Sequence, residues 1–178
     1  MKTNTLKWIA VFATVIFGIT SCSNDGEFGD SIKLDDSITG IAKRTSNLSS
    51  LVAALNRAGL AETLSGTGSF TVFAPTNEAF ATFLSANGFA SVDEVPVPVL
   101  KNILLNHVIG AEIASADIPA ATYVSTLSPI NTTANAPTIS MFVQKSGGTV
   151  TLNGGIGNNG AVVTSADIDA DNGIIHIV

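Results

Sequence analysis

The sequence predicts an α+β fold with a largely antiparallel sheet. Three observations carry that expectation. Apolar residues recur at helical spacing from Ser37 to about Gly110, one short β-type run interrupts them near Phe70, and beyond Gly110 the helical period gives way to a series of β-rich runs. A chain that makes its helices first and its strands later segregates the helices to one side of the sheet.

Taken in order, Ile38, Ile41 and Ala42 share a helical phase, and Leu48, Leu51, Val52 and Leu55 follow at the spacing of one apolar face. Gly59 is placed to stop that helix. In SFTVFA, Thr71 and Phe73 alternate with Phe70, Val72 and Ala74, which is strand periodicity, and Pro75 closes the strand. Thr76 can cap a following helix whose first turn holds Asn77 and Glu78, and whose core side is Ala79, Phe80, Phe83 and Leu84. The ring of Pro75 sets the exit angle of this strand-to-helix corner, with Phe73 and Phe80 pointing inward. Asn87-Gly88 ends the helix, and another begins near Pro98 with Leu100, Ile103, Leu104 and His107 on one face, ending at Gly110. The later runs TYVSTL, ISMFVQK, GTVTLN, GAVVTS and GIIHIV read as strands, and the Asp-rich DIDADN before the last of them as an exposed loop.

The N-terminus is organised differently. Lys2 and Lys7 precede an apolar run of about 12 residues, short of the roughly 20 that a membrane-spanning helix needs. Residues 1–21 therefore read as a secretory signal. ITSC at its end resembles a bacterial lipobox, which makes Cys22, the only cysteine, the expected lipidation site. Acyl chains contribute roughly 0.8 kcal/mol per buried CH₂, so several of them tether a protein firmly to a membrane. Residues 22–36 are rich in Ser, Gly and Asp and lack periodicity, as a flexible tether does, and 37–178 form the domain. Without Lys2 and Lys7, six basic side chains face fourteen acidic ones, which argues against nucleic acid as a partner. Acidic residues soon after Cys22 resemble a surface-export signal of Bacteroidetes lipoproteins and favour an outer-membrane, surface-exposed location in the cell envelope over a periplasmic one.

Three segments stand in a recognisable order: TVFAPTNEAF at 71–80, LLNHVIG at 104–110 and NGIIHIV at 172–178. With the preceding helix ending in AGL, they resemble a fasciclin domain over roughly residues 34–178. The resemblance implies a β-wedge or barrel with N-terminal helices packed against it, in secreted or surface-anchored proteins that mediate adhesion. It also implies that Phe73, Pro75, Thr76, Phe80, His107, Asn172, Gly173 and His176 are motif positions. In adhesive animal members a tyrosine often precedes the histidine of the second motif, whereas Asn106 precedes His107 here. The Asp-Ile pair those members carry before the third motif is present as Asp167-Ile168. Asp167, Ile168, Asn106 and His107 are accordingly the candidate partner-binding residues. Family members usually continue past the third motif, so the sequence leads us to expect a C-terminal strand or a tandem domain after Val178, without which a strand end would be left unpaired.

Other motifs fail on spacing. From Asp167, an EF-hand would need glycine at its sixth place and glutamate at its twelfth, but Asn172 and Val178 stand there, so no metal site is expected. GIGNNG at 155–160 matches a dinucleotide fingerprint but is followed by a strand rather than a helix, and reads as a hairpin turn. His107 and His176, the only histidines, sit in apolar phase and read as core residues, with no nucleophile elbow or metal-ligand spacing nearby. The expectation is therefore a protein without cofactor or catalytic activity, anchored through lipidated Cys22 and binding an extracellular protein or polysaccharide in adhesion. The alternative is a periplasmic lipoprotein binding a glycan or small ligand.

Overall fold

A computed structural model describes residues 34–131, 136–154 and 160–178. The signal segment, Cys22, most of the tether and nearly all of GIGNNG lie outside the described residues. The domain runs α1 (Ile38–Arg44), α2 (Ser49–Ala58), β1 (Phe70–Ala74), α3 (Asn77–Ala86), α4 (Val97–Leu105) and β2 (Val108–Ile109). It continues with β3 (Ala121–Pro129), β4 (Thr138–Ser146), β5 (Thr149–Leu152), β6 (Ala161–Val162), β7 (Ser165–Ala170) and β8 (Gly173–Ile177).

The strands form two four-stranded sheets, ordered β2-β1-β8-β7 and β3-β4-β5-β6. Both are open, so the barrel half of the expectation gives way to two stacked sheets, while the α+β class stands. All pairings are antiparallel except β1 with β8, whose register sets Phe70 opposite Gly173 and Phe73 opposite His176. The chain changes sheet at two adjacent residues: Val163 N–H donates to the Val150 carbonyl of the second sheet, and Thr164 N–H to the Ile177 carbonyl of the first. GAVVTS, read as one strand, is thus divided between the sheets.

Strand alternation in the first sheet separates two cores. Val72, Ala74, Val108, Ile175 and Ile177 face the helices and pack with Ile38, Leu51, Leu55, Phe80, Leu100 and Leu104. Phe73 and Ile109 face the second sheet and pack with Ile118, Met141, Val143, Val150 and Leu152. Phe73 and Phe80 therefore both point inward, but into opposite cores.

Local chemistry explains the helix ends. Ser37 caps α1 by accepting from Gly40 N–H, and Thr76 caps α3 by accepting from Ala79 N–H. The helical phase read from Ser37 onward breaks at Thr45, whose backbone is extended and whose hydroxyl donates back to the Ile41 carbonyl. The N-terminus of α2 has no cap of its own; the Asn77 amide oxygen, reaching over from α3, accepts from Ser50 N–H at 2.8 Å. Gly59 ends α2 in the left-handed conformation, where a Cβ would be strained.

Two expectations are corrected. The fourth helix ends at Leu105 rather than Gly110, because Val108 and Ile109 pair with Val72 and Thr71 and are drawn into the sheet. The Asp-rich segment is not a loop but the edge strand β7, since Ile168 and Asp169 pair with Ile175 and Ile174.

The turn between β7 and β8 fastens the whole domain. The buried Asn172 side chain accepts from Ile38 N–H at 2.9 Å and donates to the Leu64 and Gly66 carbonyls at 2.9 and 2.8 Å. Gly173 beside it has φ +143°, and a Cβ there would stand 1.9 Å from the Phe70 carbonyl oxygen. At the other end of β8, Val178 N–H donates to the Ala74 carbonyl and its own carbonyl accepts from Thr76 N–H, so this strand end is paired. Replacing Asn172 with Ala is expected to cost about 3 kcal/mol, because the buried Ile38 N–H and Leu64 carbonyl and the part-buried Gly66 carbonyl lose their partner at once. Urea unfolding would measure this against Asp169→Ala, an exposed change expected to stay within about 0.5 kcal/mol.

Candidate functional site

Two of the motif residues, Phe73 and His176, meet on the face of the first sheet that looks toward the second. Phe73 and His176 are each only 1% exposed. Their rings stack with centroids 5.3 Å apart and planes 28° from parallel, a favourable offset arrangement. His176 Nδ1 accepts from Asp167 N–H at 3.2 Å, and its Nε2 lies 3.0 Å from the Ile113 carbonyl. The first bond requires an unprotonated Nδ1, so the ring is the neutral imidazole with its hydrogen on Nε2. Thr71, fully buried in the same face, donates to the Ala111 carbonyl at 2.7 Å and accepts from Ile113 N–H at 2.9 Å. The segment after β2 is thus tied to the sheet by Thr71 and His176 together.

At the sheet edge the register of β7 shifts between Ser165 and Ile168, a bulge that holds Asp167 at φ +57°. Such a bulge re-aims a side chain. Here it directs the Asp167 carboxylate to Ser115, accepting from its N–H at 2.7 Å and its hydroxyl at 2.5 Å. Those two bonds, with a smaller contribution from Lys145, hold the carboxyl below its ordinary value of 3.8. Lys145 Nζ donates to the Ser115 carbonyl at 2.7 Å. Asp167 is exposed, yet both of its oxygens are already engaged. Ile168 is half-buried against the helix-side core.

Asn106 and His107 stand elsewhere. Val108, Val72, Ile175 and Ile168 form one row across the four strands of the first sheet. Strands lie about 4.8 Å apart, so the two candidate pairs are on opposite edges, roughly 14 Å from each other. They do not make one site. His107 occupies the turn after α4, where its Nδ1 donates to the Ile103 carbonyl at 2.8 Å. Burial pushes its pKa below the ordinary 6.5, against the raising effect of that bond. With Asn106, Met141, Leu152, Asn153 and Val178 it lines a cleft of about 400 Å³. A smaller apolar groove of about 180 Å³ separates His107 from Pro75, Phe80 and Phe83.

No helix among the described residues is long and apolar enough to cross a membrane. Nor does any group of three or more His, Cys, Asp or Glu side chains among them converge on a point where a metal ion could sit.

The Fasciclin domain family model matches residues 46–178. This chain belongs to the Fasciclin domain family. Protein sll1483 of Synechocystis is 34% identical over 145 residues, covering 79% of this chain and 69% of that protein. The transforming growth factor-beta-induced protein ig-h3 of Sus scrofa is 31% identical over 160 residues, which is 86% of this chain but 21% of the pig protein. Among solved structures, a FAS1 domain pair from the insect cell adhesion molecule Fasciclin I superposes with a TM-score of 0.59 at 16% identity. That superposition covers 79% of this chain and 48% of the insect one, and it shows the shared fold. The chain thus spans about half the length of the insect pair and about a fifth of the pig protein.

Within the fasciclin domain several working residues had little sequence signal. Thr71 could have been found as the one polar residue of β1. Ser115 and Asn77 could not, because their partners are 52 and 27 residues away in the chain. The pH dependence of stability follows from His107. Its folded-state pKa is depressed, so stability is complete above the unfolded value of 6.5 and declines as pH falls from there, when the unfolded chain takes the proton first. Thermal melts between about pH 7.5 and about pH 5 should show this slope, and His107→Gln should flatten it. Equal slopes in the two proteins would contradict the assignment.

Proposed function

We propose that this fasciclin domain is held at the cell envelope by lipid on Cys22, faces outward from the outer membrane, and binds an extracellular macromolecule in adhesion. The observation that carries the reading is how the motif side chains spend their polar atoms. Both His176 nitrogens, both Asp167 oxygens and the Thr71 hydroxyl are committed to internal bonds. Groups used in this way build a scaffold. A scaffold of this kind supports a binding module, and the insect relative is itself described as a cell adhesion molecule.

A periplasmic ligand-binding role is the second reading, favoured by the cleft beside His107, where Asn106 and Asn153 bring amide groups to an otherwise apolar wall.

The test is cellular. Wild-type protein should fractionate with membranes and be cut by protease added to intact cells, whereas Cys22→Ser should appear in the soluble fraction. Cells lacking the protein should adhere less to matrix-coated and polysaccharide-coated surfaces, with recovery on return of the wild type and not of Cys22→Ser. Full protease protection in intact cells would rule out surface display.

A further inference from the structure

The second sheet carries a face that the scaffold does not use. Between Asp117 and Asp167 the sequence holds a single charged residue, Lys145, in a chain with eight basic and fourteen acidic side chains. Lys145 turns to the edge of the domain, where its ammonium donates to the Ser115 carbonyl. Met141, Val143, Val150 and Leu152 point toward the first sheet, so the residues alternating with them point out. Tyr123 and Phe142 are opposite one another on β3 and β4, with ring centroids 5.0 Å apart, and Tyr123 is 73% exposed. Around this pair lie the outward Ser125, Ser140, Gln144 and Thr151, with Val162 beyond them on β6. The result is an aromatic centre ringed by hydroxyl and amide groups, with no ionised group on it.

A cross-strand aromatic pair contributes to sheet stability, which accounts for the ring contact. It does not account for the missing charge. Exposed sheet surface and edge strands ordinarily carry Lys or Glu, because an uncharged β face invites association. A face left without that protection is suited to being covered, and its chemistry restricts what can cover it. A charged partner would give up hydration there and find no opposite charge to compensate. A neutral polymer with hydroxyls at its rim and C–H groups on its flat faces has far less hydration to give up and can replace it with hydrogen bonds. Its ring face packs on Tyr123, while its hydroxyls exchange hydrogen bonds with Ser, Thr and Gln.

We propose that the outer face of the second sheet, centred on Tyr123 and Phe142, binds a neutral polysaccharide. This deepens the reading of the domain as a binding module and rests on it. Tyr123 is the only tyrosine in the chain, so fluorotyrosine incorporation yields one fluorine resonance that reports on this face.

The full chain would be titrated with dextran and with a linear β-glucan as neutral probes and with alginate as the acidic one, and run in native gels containing each. A neutral probe should shift the resonance and retard the protein, equally at about 0.05 M and about 0.5 M NaCl, since no charge pair is involved. Tyr123→Ala should weaken retardation about tenfold and Tyr123→Phe should retain it, the ring face being what binds. Gln144→Glu, which places a charge on the face, should weaken it too, and a single cooperative melt well above the assay temperature in all three variants would show that the fold is intact. The proposal is overturned if neither neutral probe retards the wild type, if Tyr123→Ala binds as the wild type does, or if Tyr123→Ala instead abolishes self-association in sedimentation, which would assign the face to a second copy. Adhesion that survives in the cellular test while neutral probes fail would remove this face alone and leave the binding role standing.

Discussion

The parallel pairing of β1 with β8 brings residues 70–74 beside residues 173–177, and every other element takes its place from that contact. β2 adds to the free edge of β1 and β7 to the free edge of β8, while the helices cover one face and the second sheet the other. Parallel strands need a long connection. Here the connection contains α3, α4, and the whole second sheet. The entropy of closing so long a loop grows only slowly with its length, so the contact is tolerable once packing rewards it. Two close fits supply that packing: Gly173 leaves room for the Phe70 carbonyl, and Phe73 lies on the ring of His176.

Much of this was legible in the sequence wherever the physics is local. The apolar phase of Leu51 and Leu55, the stop at Gly59, the cap at Thr76 and the alternation in SFTVFA each depend on neighbours within one or two turns. The errors lie where distant partners decide. Helical phase runs through His107 without a break, and only the pull of Val108 and Ile109 toward β1 shows that the helix has already ended. The aspartates before Gly173 look like a solvated loop because alternation on an edge strand exposes one side to water. Asn77 reads as a helix-start residue of its own segment, whereas its amide caps a different helix. For the candidate site, sequence picked out His176, Asn172 and Asp167, but it could not show that Asp167-Ile168 and Asn106-His107 occupy opposite edges of a sheet.

The domain also separates its duties by sheet. In the first sheet polar groups are turned inward and matched one to one, as with Thr71, His176 and Asn172. In the second sheet the outward side chains are neutral, mostly hydroxyl or amide groups around a single aromatic pair. Substitutions in the first sheet therefore act mainly through folding. Those on the outside of the second can vary without disturbing the cores beneath.

The fastening at Asn172 has a mechanical side. In the chain leading into α1, the Asp36 carbonyl accepts from Asp171 N–H, and Ile38 N–H donates to the Asn172 amide oxygen. Both bonds join that entry point to the tip of the β7–β8 hairpin. Tension arriving along the chain is thus divided between α1, which Arg44 ties to the Asp35 carbonyl and the Asp36 carboxylate, and the central strands. The part that reaches β8 is opposed by the hydrogen bonds of that strand to both of its neighbours, β1 and β7.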